Sequence, residues 1–473
     1  MASQDPRLSR SSKAANSSLV TPKLDFFCQD IPVLRNIFHQ RESVKYNAIQ
    51  KSARDGCFLC KVICSATDRL VAEHPSHTLQ HDKVYFDGLN RSSGLLVGLE
   101  SPEEPWFFQI QLYILEDNQP GQVPRSVPRI YTGSEAAILQ ARKWLFTCLQ
   151  LHSSLCSTMA EVNPRLPTRL LEIDRQSESP VKLCESKYYD NKYACLSHCW
   201  GGHQPLKTTS LNRARHREGI LWEHLPKTFQ DAIGVVRDLG YSYIWVDSLC
   251  IIQDDEDDWN REAARMADIY RNSVVTISAA AGAGPYAGLF AQGAGELGTV
   301  EIDNPRLQQN QMPQIYARSV LDHQRTEHPL CNRAWVLQER LLSPRVIHFG
   351  NNELLWECME ERCCSCGPRQ YWPGWLEEKK EFHPNALAAL DAHGISNAWR
   401  RVVSNYTSMK LTMEKDILPA LAGAAKVMAQ VLKTKGFETT YLAGLWEFRF
   451  VEDCAWSSRA SSAERRPTGY RAP

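Results

Sequence analysis

The sequence predicts an α/β fold whose core is a parallel β-sheet spanning about residues 190–360. Short apolar runs alternate there with segments of helical periodicity, and these segments are long enough to serve as crossover connections between parallel strands. The expected strands are 193–200, 243–247, 273–279, 345–350 and 353–358, and the expected helices are 225–240, 258–270 and 332–342.

The segment 225–240 shows the helical pattern most clearly. Its apolar residues recur at the spacing that places them on one helix face. Pro226 suits the first turn of a helix, and Gly240 suits its end. The residues expected to face the sheet are Leu225, Phe229, Ala232, Ile233 and Val236.

Four regions are expected along the chain. Residues 1–24 are polar and rich in serine, which predicts a disordered tail. Residues 25–180 are predicted to form an N-terminal α+β region with a Cys/His cluster. Residues 185–360 are predicted to hold the α/β domain, with a Gly-rich insertion at 280–330. Residues 361–473 are predicted to be mainly helical.

The composition excludes several classes of function. Lys+Arg and Asp+Glu balance at 54 each, so the charge gives no reason to expect nucleic acid or an anionic membrane as a general partner. The longest uncharged run, 272–295, contains Pro285 and several glycines, so we expect no membrane span. The polar N-terminus lacks the apolar core of a secretory signal, and the 16 cysteines are therefore expected to be thiols or metal ligands in a cytoplasmic protein.

Five Cys and His residues of the N-terminal region predict a structural zinc site. Cys57 and Cys60 have C-x2-C spacing, and Cys148, His152 and Cys156 recur every four residues, which would place all three on one face of a helix. Two of these three with Cys57 and Cys60 would complete a tetrahedral set. The alternative is a group of buried thiols in a helix interface, since cysteine packs as a small hydrophobe.

Carboxylates follow the strand 243–247. Asp247 ends the strand, where α/β folds bind ligands, so we expect it to face a crevice. The run Asp254–Asp258 could hold Mg²⁺ or Ca²⁺, but it lacks the alternate spacing and central glycine of an EF-hand loop. The acids are therefore expected to begin the next helix, where negative charge is favourable.

Trp335 and Glu339 are four residues apart and should share one helix face. A carboxylate beside an aromatic ring could bind a ribose or stabilise a cationic transition state, as in glycoside cleavage. The alternative is an exposed helix whose glutamate pairs with Arg333 or Arg340. The residue pattern by itself favours the exposed helix.

Several segments, taken in order, resemble the heterokaryon incompatibility (HET) domain family of filamentous fungi. Membership would imply a role in non-self recognition, in which the domain triggers growth arrest and cell death when incompatible cells fuse. The segments that carry the resemblance are "YACLSHCWGG", "LPKTFQDAIGVVRDLGYSYIWVDSLCIIQDDEDDW", "EAARMADIYRNSVVTISAA" and "CNRAWVLQERLLSPRVIHF".

HET domains are in turn distantly similar to TIR domains, which implies a TIR/flavodoxin-like sheet. In TIR domains that cleave NAD⁺, a catalytic glutamate follows a tryptophan by four residues. The resemblance carries this role to Glu339, with Trp335 beside it, although Val336 stands where that pattern has a cysteine. Ser197, Trp200 and Asp247 are the residues then expected to bind the NAD⁺ substrate.

A non-enzymatic role is the second expectation. In it, the domain signals by self-association or by binding a protein partner, and the apolar, Gly-rich insertion 280–330 would serve that purpose. Relatives also continue past the position of "YRAP" into a Trp- and Ser-rich segment, so this chain is expected to be truncated or divergent after Pro473.

Overall fold

The structure of the protein is a computed structural model. It describes residues 42–73, 83–88, 95–99, 108–114, 131–152, 155–157, 166–174, 179–185, 192–202, 206–291, 300–302, 315–319, 328–365 and 378–454. The tail predicted for residues 1–24 lies outside the described residues, as does the end of the chain beyond residue 454.

The strands are β1 (Glu42–Lys45), β2 (Lys83–Gly88), β3 (Leu95–Leu99), β4 (Phe108–Ile114), β5 (Arg169–Glu172), β6 (Lys182–Glu185), β7 (Ala194–Ser197), β8 (Tyr243–Trp245), β9 (Val275–Ser278), β10 (Val300–Ile302), β11 (Ile315–Ser319), β12 (Arg345–Phe349), β13 (Leu354–Cys358), β14 (Arg362–Cys364), β15 (Tyr441–Leu442) and β16 (Leu445–Trp446). The α-helices are α1 (Tyr46–Arg54), α2 (Phe58–Glu73), α3 (Glu135–Leu151), α4 (Arg213–Glu218), α5 (Lys227–Asp238), α6 (Asp247–Cys250), α7 (Glu256–Ala263), α8 (Met266–Arg271), α9 (Ala334–Leu342), α10 (Glu378–Glu381), α11 (Pro384–Ala389), α12 (Ala392–Thr407), α13 (Pro419–Thr434) and α14 (Phe450–Asp453). Single 3₁₀ turns occur at Trp222–His224, Pro329–Asn332, Glu414–Asp416 and Glu447–Arg449.

The chain divides into two compact units. The first comprises Met1–Ile114 and Val300–Ser319. Its sheet has the strand order β1-β2-β3-β4-β11-β10, and every neighbouring pair is antiparallel. The last two strands come from the Gly-rich segment 280–330, which the sequence predicted only as an insertion. This insertion therefore completes a sheet that begins more than two hundred residues earlier in the chain.

The second unit comprises Leu115–Thr299 and Val320–Pro473. Its sheet has the order β14-β13-β12-β9-β7-β8-β5-β6. The four central strands, β12, β9, β7 and β8, are parallel, and antiparallel strands flank them on both sides. Numbered by appearance in the chain, the parallel strands follow the order 2-1-3-4, which is that of flavodoxin-like sheets. The predicted α/β fold with a parallel core is confirmed.

The central strands are buried on both faces. Every residue of β7, β9, β12 and β13 is buried, which is the pattern of a sheet covered by helices on both sides. Helix α5 covers part of the sheet with the apolar face that its periodicity predicted. It is followed by Gly240 with φ +88°, a left-handed conformation that suits glycine at the end of a helix.

Two local expectations for the segment after β8 are corrected. The strand ends at Trp245, and Asp247 is the first residue of helix α6 and not the last residue of a strand. The helix expected at 258–270 is split into α7 and α8. The interruption coincides with Arg265, whose guanidinium reaches the hydroxyl of Thr168 and the carbonyl of Leu166, each at 2.6 Å.

Helix α3 and strand β5 belong to the second unit, whereas the sequence placed them with the N-terminal region up to residue 180. The difference arises because β5 pairs with both β6 and β8, which extends the same sheet beyond its parallel core. Residues that precede the α/β domain in sequence therefore complete it in space.

Helix α9 lies between the sheet and the C-terminal helices. All its residues from Val336 to Leu342 are buried, so the expectation of an exposed helix is wrong. Its apolar side chains pack with those of α12 and α13, including Trp399 and Met428. The C-terminal region is mainly helical, as predicted. Among the described residues, no helix has the length and apolar character needed to cross a membrane.

The acidic run begins a helix, as expected. Asp255 is the N-cap of α7, and its carboxylate accepts the backbone N–H of Asp258 at 3.0 Å. Asp258 itself is buried and forms ion pairs with Arg169 and Arg261. Burial acts to raise the pKa of Asp258, but the hydrogen bonds from Arg169 and from the N–H of Ile252 hold this pKa below its usual value. The pair therefore fixes α7 against β5.

Asp258→Asn is expected to lower the free energy of unfolding by about 3–5 kcal/mol at pH 7, because Arg169 would remain buried without its counter-charge. The change would be measured by urea denaturation. Asp257→Asn, at an exposed position in the same helical turn, is the control and should change stability by less than about 0.5 kcal/mol. Equal losses in the two variants would contradict this account.

Candidate functional site

A carboxylate lies beside the carboxyl end of the first parallel strand. Ser197 is the last residue of β7, and its hydroxyl donates a hydrogen bond to the Glu339 carboxylate of α9 at 2.5 Å. Both side chains are buried. The switch point of the strand order, where flavodoxin-like sheets bind ligands, falls between β7 and β9. The structure therefore brings Ser197 and Glu339 together next to the position expected for a ligand.

The environment of Glu339 favours its protonated form. Only 7% of Glu339 is exposed, and this burial is the main reason that its pKa is raised to about 7. The hydrogen bond from Ser197 lowers this pKa, and so do the charge of Arg333 and the hydrogen bond from the Tyr270 hydroxyl. The charge of Asp247 raises the pKa further. A carboxylic acid with such a pKa can take up or release a proton near neutral pH.

Asp247 holds a second carboxylate at this edge of the sheet. Its side-chain oxygens accept the indole N–H of Trp200 and the backbone N–H of Ser248, both at 2.7 Å. The Asp247 side chain is 21% exposed, so it reaches solvent more readily than Glu339 does. The predicted residues Ser197, Trp200, Asp247 and Glu339 thus occupy one edge of the sheet.

The residue that sequence reasoning missed is His198. Its ring is buried, and Nδ1 lies 3.7 Å from Oδ1 of Asp247. Neither ring nitrogen has a hydrogen-bond partner in the part of the chain that the structure describes. Burial lowers the pKa of His198, although Asp247 opposes that shift, so the ring is neutral at pH 7. The sequence feature that could have indicated His198 is its position directly after β7, the first parallel strand.

Trp335, at the start of α9, has a hydrogen-bond partner outside the HET domain. Its indole N–H donates to Asp416 in the C-terminal region at 3.0 Å. Trp335 therefore ties α9 to the residues that follow the sheet.

The loops that follow β7 and β9 approach each other closely. Gly201 has φ +68°, and a Cβ atom at this position would lie 3.1 Å from the Cα of Gly284. A side chain here would be strained and would push the two loops apart. Glycine at position 201 therefore allows both loops to meet beside Ser197 and the switch point.

A separate group of thiols and imidazole lies in the same unit. The potential ligand atoms of Cys148, His152, Cys156 and Cys358 all lie within 4.8 Å of one another, an arrangement compatible with structural zinc. This group differs from the predicted one. The fourth member is Cys358, at the end of β13, and Cys57 and Cys60 of the first unit are not part of it.

The three residues expected on one helix face do not all lie on a helix. Helix α3 ends at Leu151, and His152 has the non-helical angles φ −94° and ψ 87°. Cys156 therefore reaches the group from the segment after the helix. The backbone N–H groups of Leu155 and Cys156 are held by the Glu360 carboxylate at 2.8 and 3.3 Å.

A family model for the heterokaryon incompatibility protein (HET) matches residues 193–339. The chain contains a HET domain. The matched range begins just before β7 and ends at Glu339, so it includes Ser197, Asp247 and the carboxylate of α9. The members of the Cys/His group lie on both sides of the HET domain in sequence. Comparison with curated proteins and with solved structures found no match.

Glu339→Gln is expected to stabilise the HET domain above pH 7. The folded-state pKa of about 7 exceeds the ordinary value of 4.5, so the folded state retains a proton that the unfolded state has released. Stability contributed by this group is therefore complete below pH 4.5 and is lost as the pH rises to 7. The neutral amide avoids this loss, which amounts to about 3 kcal/mol.

Thermal melts of wild type and Glu339→Gln between pH 5 and pH 8 would test this expectation. The difference in Tm between the variant and wild type should grow with pH up to about 7. A difference that is constant with pH would contradict the raised pKa.

Proposed function

We propose that the HET domain hydrolyses NAD⁺ with Glu339 as its catalytic carboxylate, and that this activity makes the protein a cell-death effector in non-self recognition. The observation that carries the proposal is the environment of Glu339. It is a buried carboxylate with a raised pKa at the ligand-binding edge of a parallel sheet, next to a second carboxylate, Asp247. The similarity of "AWVLQE" to the tryptophan–glutamate pattern of NAD⁺-cleaving TIR domains supports the same assignment.

The reaction needs one negative charge beside the ribose. The bond between the nicotinamide nitrogen and ribose C1 breaks, and its electron pair goes to nicotinamide. The ribose then resembles an oxocarbenium ion, which ionised Glu339 would stabilise. Water adds to C1 and loses a proton, so the products are ADP-ribose, nicotinamide and one proton.

The neighbours of Glu339 suggest how the substrate is held. In the structure, the Ser197 hydroxyl donates to Glu339, and a ribose hydroxyl could take over this bond when substrate binds. Asp247 is the more exposed carboxylate and could accept hydrogen bonds from the second ribose hydroxyl. The indole of Trp200 is held by its hydrogen bond to Asp247 and offers an aromatic surface at the same edge of the sheet. We propose these three residues for binding, not for bond cleavage.

Glu339→Ala is expected to reduce nicotinamide release from NAD⁺ at least about 100-fold, because the transition state loses its counter-charge. The assay uses the full chain, concentrated to favour assembly. Wild-type activity should rise with pH through about 7 as Glu339 ionises. Glu438→Ala, the same change at an exposed position, is the control and should leave the activity unchanged. Equal release by wild type and Glu339→Ala, or by neither, would refute the proposal.

A non-enzymatic signalling role is the second proposal, and the burial of Glu339 favours it. A carboxylate that is 7% exposed and hydrogen-bonded to Ser197 also satisfies the requirements of a purely structural residue. In this case the protein, located in the cytoplasm, would act through self-association or through a protein partner. Glu339 would only position α9.

Expression of Glu339→Gln in a fungal host separates the two proposals. Glutamine keeps the size of the side chain and can accept the hydrogen bond from Ser197, but it cannot carry the negative charge. Catalysis by Glu339 predicts that the toxicity of the wild-type protein is lost in the variant. Signalling predicts that toxicity remains. Circular dichroism and gel filtration would verify that the fold and the assembly state are unchanged.

A further inference from the structure

We propose that Cys148, His152, Cys156 and Cys358 bind one structural zinc ion. Zn–S bonds of about 2.3 Å and Zn–N bonds of about 2.1 Å place the ligand atoms of a tetrahedral site roughly 3.5–3.8 Å apart. Nδ1 of His152 and Sγ of Cys358 are 3.4 Å apart, and all four ligand atoms lie within 4.8 Å of one another. Small shifts of the side chains would therefore complete the tetrahedron.

Three separate pieces of backbone bring the ligands together. Cys148 lies in the last turn of α3 and His152 is the C-cap of this helix, while Cys156 belongs to the following segment. Cys358 is the last residue of β13, 206 residues beyond His152. Four protein ligands leave no open coordination position, which is the arrangement of structural and not of catalytic zinc.

The surroundings of the group match those of metal ligands. Nε2 of His152, the ring nitrogen that does not face Cys358, lies 3.6 Å from a Glu361 carboxylate oxygen. A carboxylate in this position fixes the ring orientation and leaves Nδ1 free to bind the metal. The backbone N–H of Glu361 also donates to the sulfur of Cys358 at 3.2 Å. This contact would stabilise a thiolate.

The independent observation is a buried arginine that has no carboxylate partner among the residues that the structure describes. Arg345 is only 8% exposed, and its Nε–H donates to the sulfur of Cys148 at 3.1 Å. Its other contacts are the carbonyl oxygens of Cys156 at 3.4 Å and Val274 at 3.3 Å. Within the described ranges, no carboxylate lies within ion-pairing distance of Arg345.

A buried positive charge normally requires a negative partner. Zn²⁺ with three thiolates and one neutral histidine carries a net charge of about −1, which would supply this partner to Arg345. Four neutral side chains would leave the arginine uncompensated. A disulfide between two of the cysteines would do the same. The zinc-bound state therefore explains both the geometry of the ligands and the position of Arg345.

The zinc would connect segments on either side of the HET domain. Helix α3 precedes the domain in the chain and β13 follows it, and the metal would hold the two together. This role concerns stability and is independent of any activity of Glu339.

The test measures the metal content of the full chain, expressed with added zinc and purified under reducing conditions. Elemental analysis should find about one zinc per chain, and Cys358→Ser should retain less than about a tenth of it after dialysis against a chelator. The control is Cys363→Ser, a change in the neighbouring strand β14 at a cysteine outside the group, which should retain the zinc.

If Cys358→Ser does not fold, metal binding by the wild-type protein provides the test. Replacement of zinc by Co²⁺ should give the visible absorption of a tetrahedral cobalt–thiolate site. Folded wild-type protein that contains no zinc and takes up no Co²⁺ would overturn the proposal. A disulfide between two of Cys148, Cys156 and Cys358, located by peptide mapping of protein purified without reductant, would also overturn it.

Discussion

A helix buried on all sides must satisfy every polar group that it carries, and α9 imposes this constraint on the second unit. Three consecutive polar residues of α9 point to three different elements, because successive positions on a helix face different directions. Each of them has a partner there. The pairs are Gln338 with the backbone N–H of Gly423, Glu339 with Ser197, and Arg340 with Glu357. The sheet, the C-terminal helices and the candidate site are therefore assembled around one short helix.

This arrangement makes the position of α9, and so of Glu339, depend on residues far outside the HET domain. The C-terminal helices cover the face of α9 opposite the sheet and exclude water from it. Burial is the main cause of the raised pKa of Glu339, so the packing of the helix against the sheet also sets the protonation of its carboxylate. A glutamate of identical sequence context on an exposed helix would be an ordinary ionised surface residue. The burial of α9 thus determines both how the helix packs and how Glu339 is protonated.

Local patterns in the sequence predicted what depends on local structure. The periodicity of 225–240 predicted α5 and its buried face, and the acidic run predicted the start of α7. The burial of α9 was not predictable, because nine residues cannot show which distant segments will cover them. The same limit explains Cys358, which joins a group 206 residues earlier in the chain. Strand β10 pairs with β11, and β11 pairs with the remote β4, so the place of both strands in the first sheet was not predictable from local patterns.

The path of the chain through β10 and β11 has a consequence for how the protein can be divided. The HET domain as matched, 193–339, includes these two strands, but β4, with which β11 pairs, lies outside it. A fragment cut at these boundaries would expose an unpaired strand edge, which is prone to aggregation. It would also lack β12, the neighbour of β9 in the sheet. The family boundaries thus describe a stretch of related sequence, whereas the smallest independently folding piece must extend beyond them in both directions.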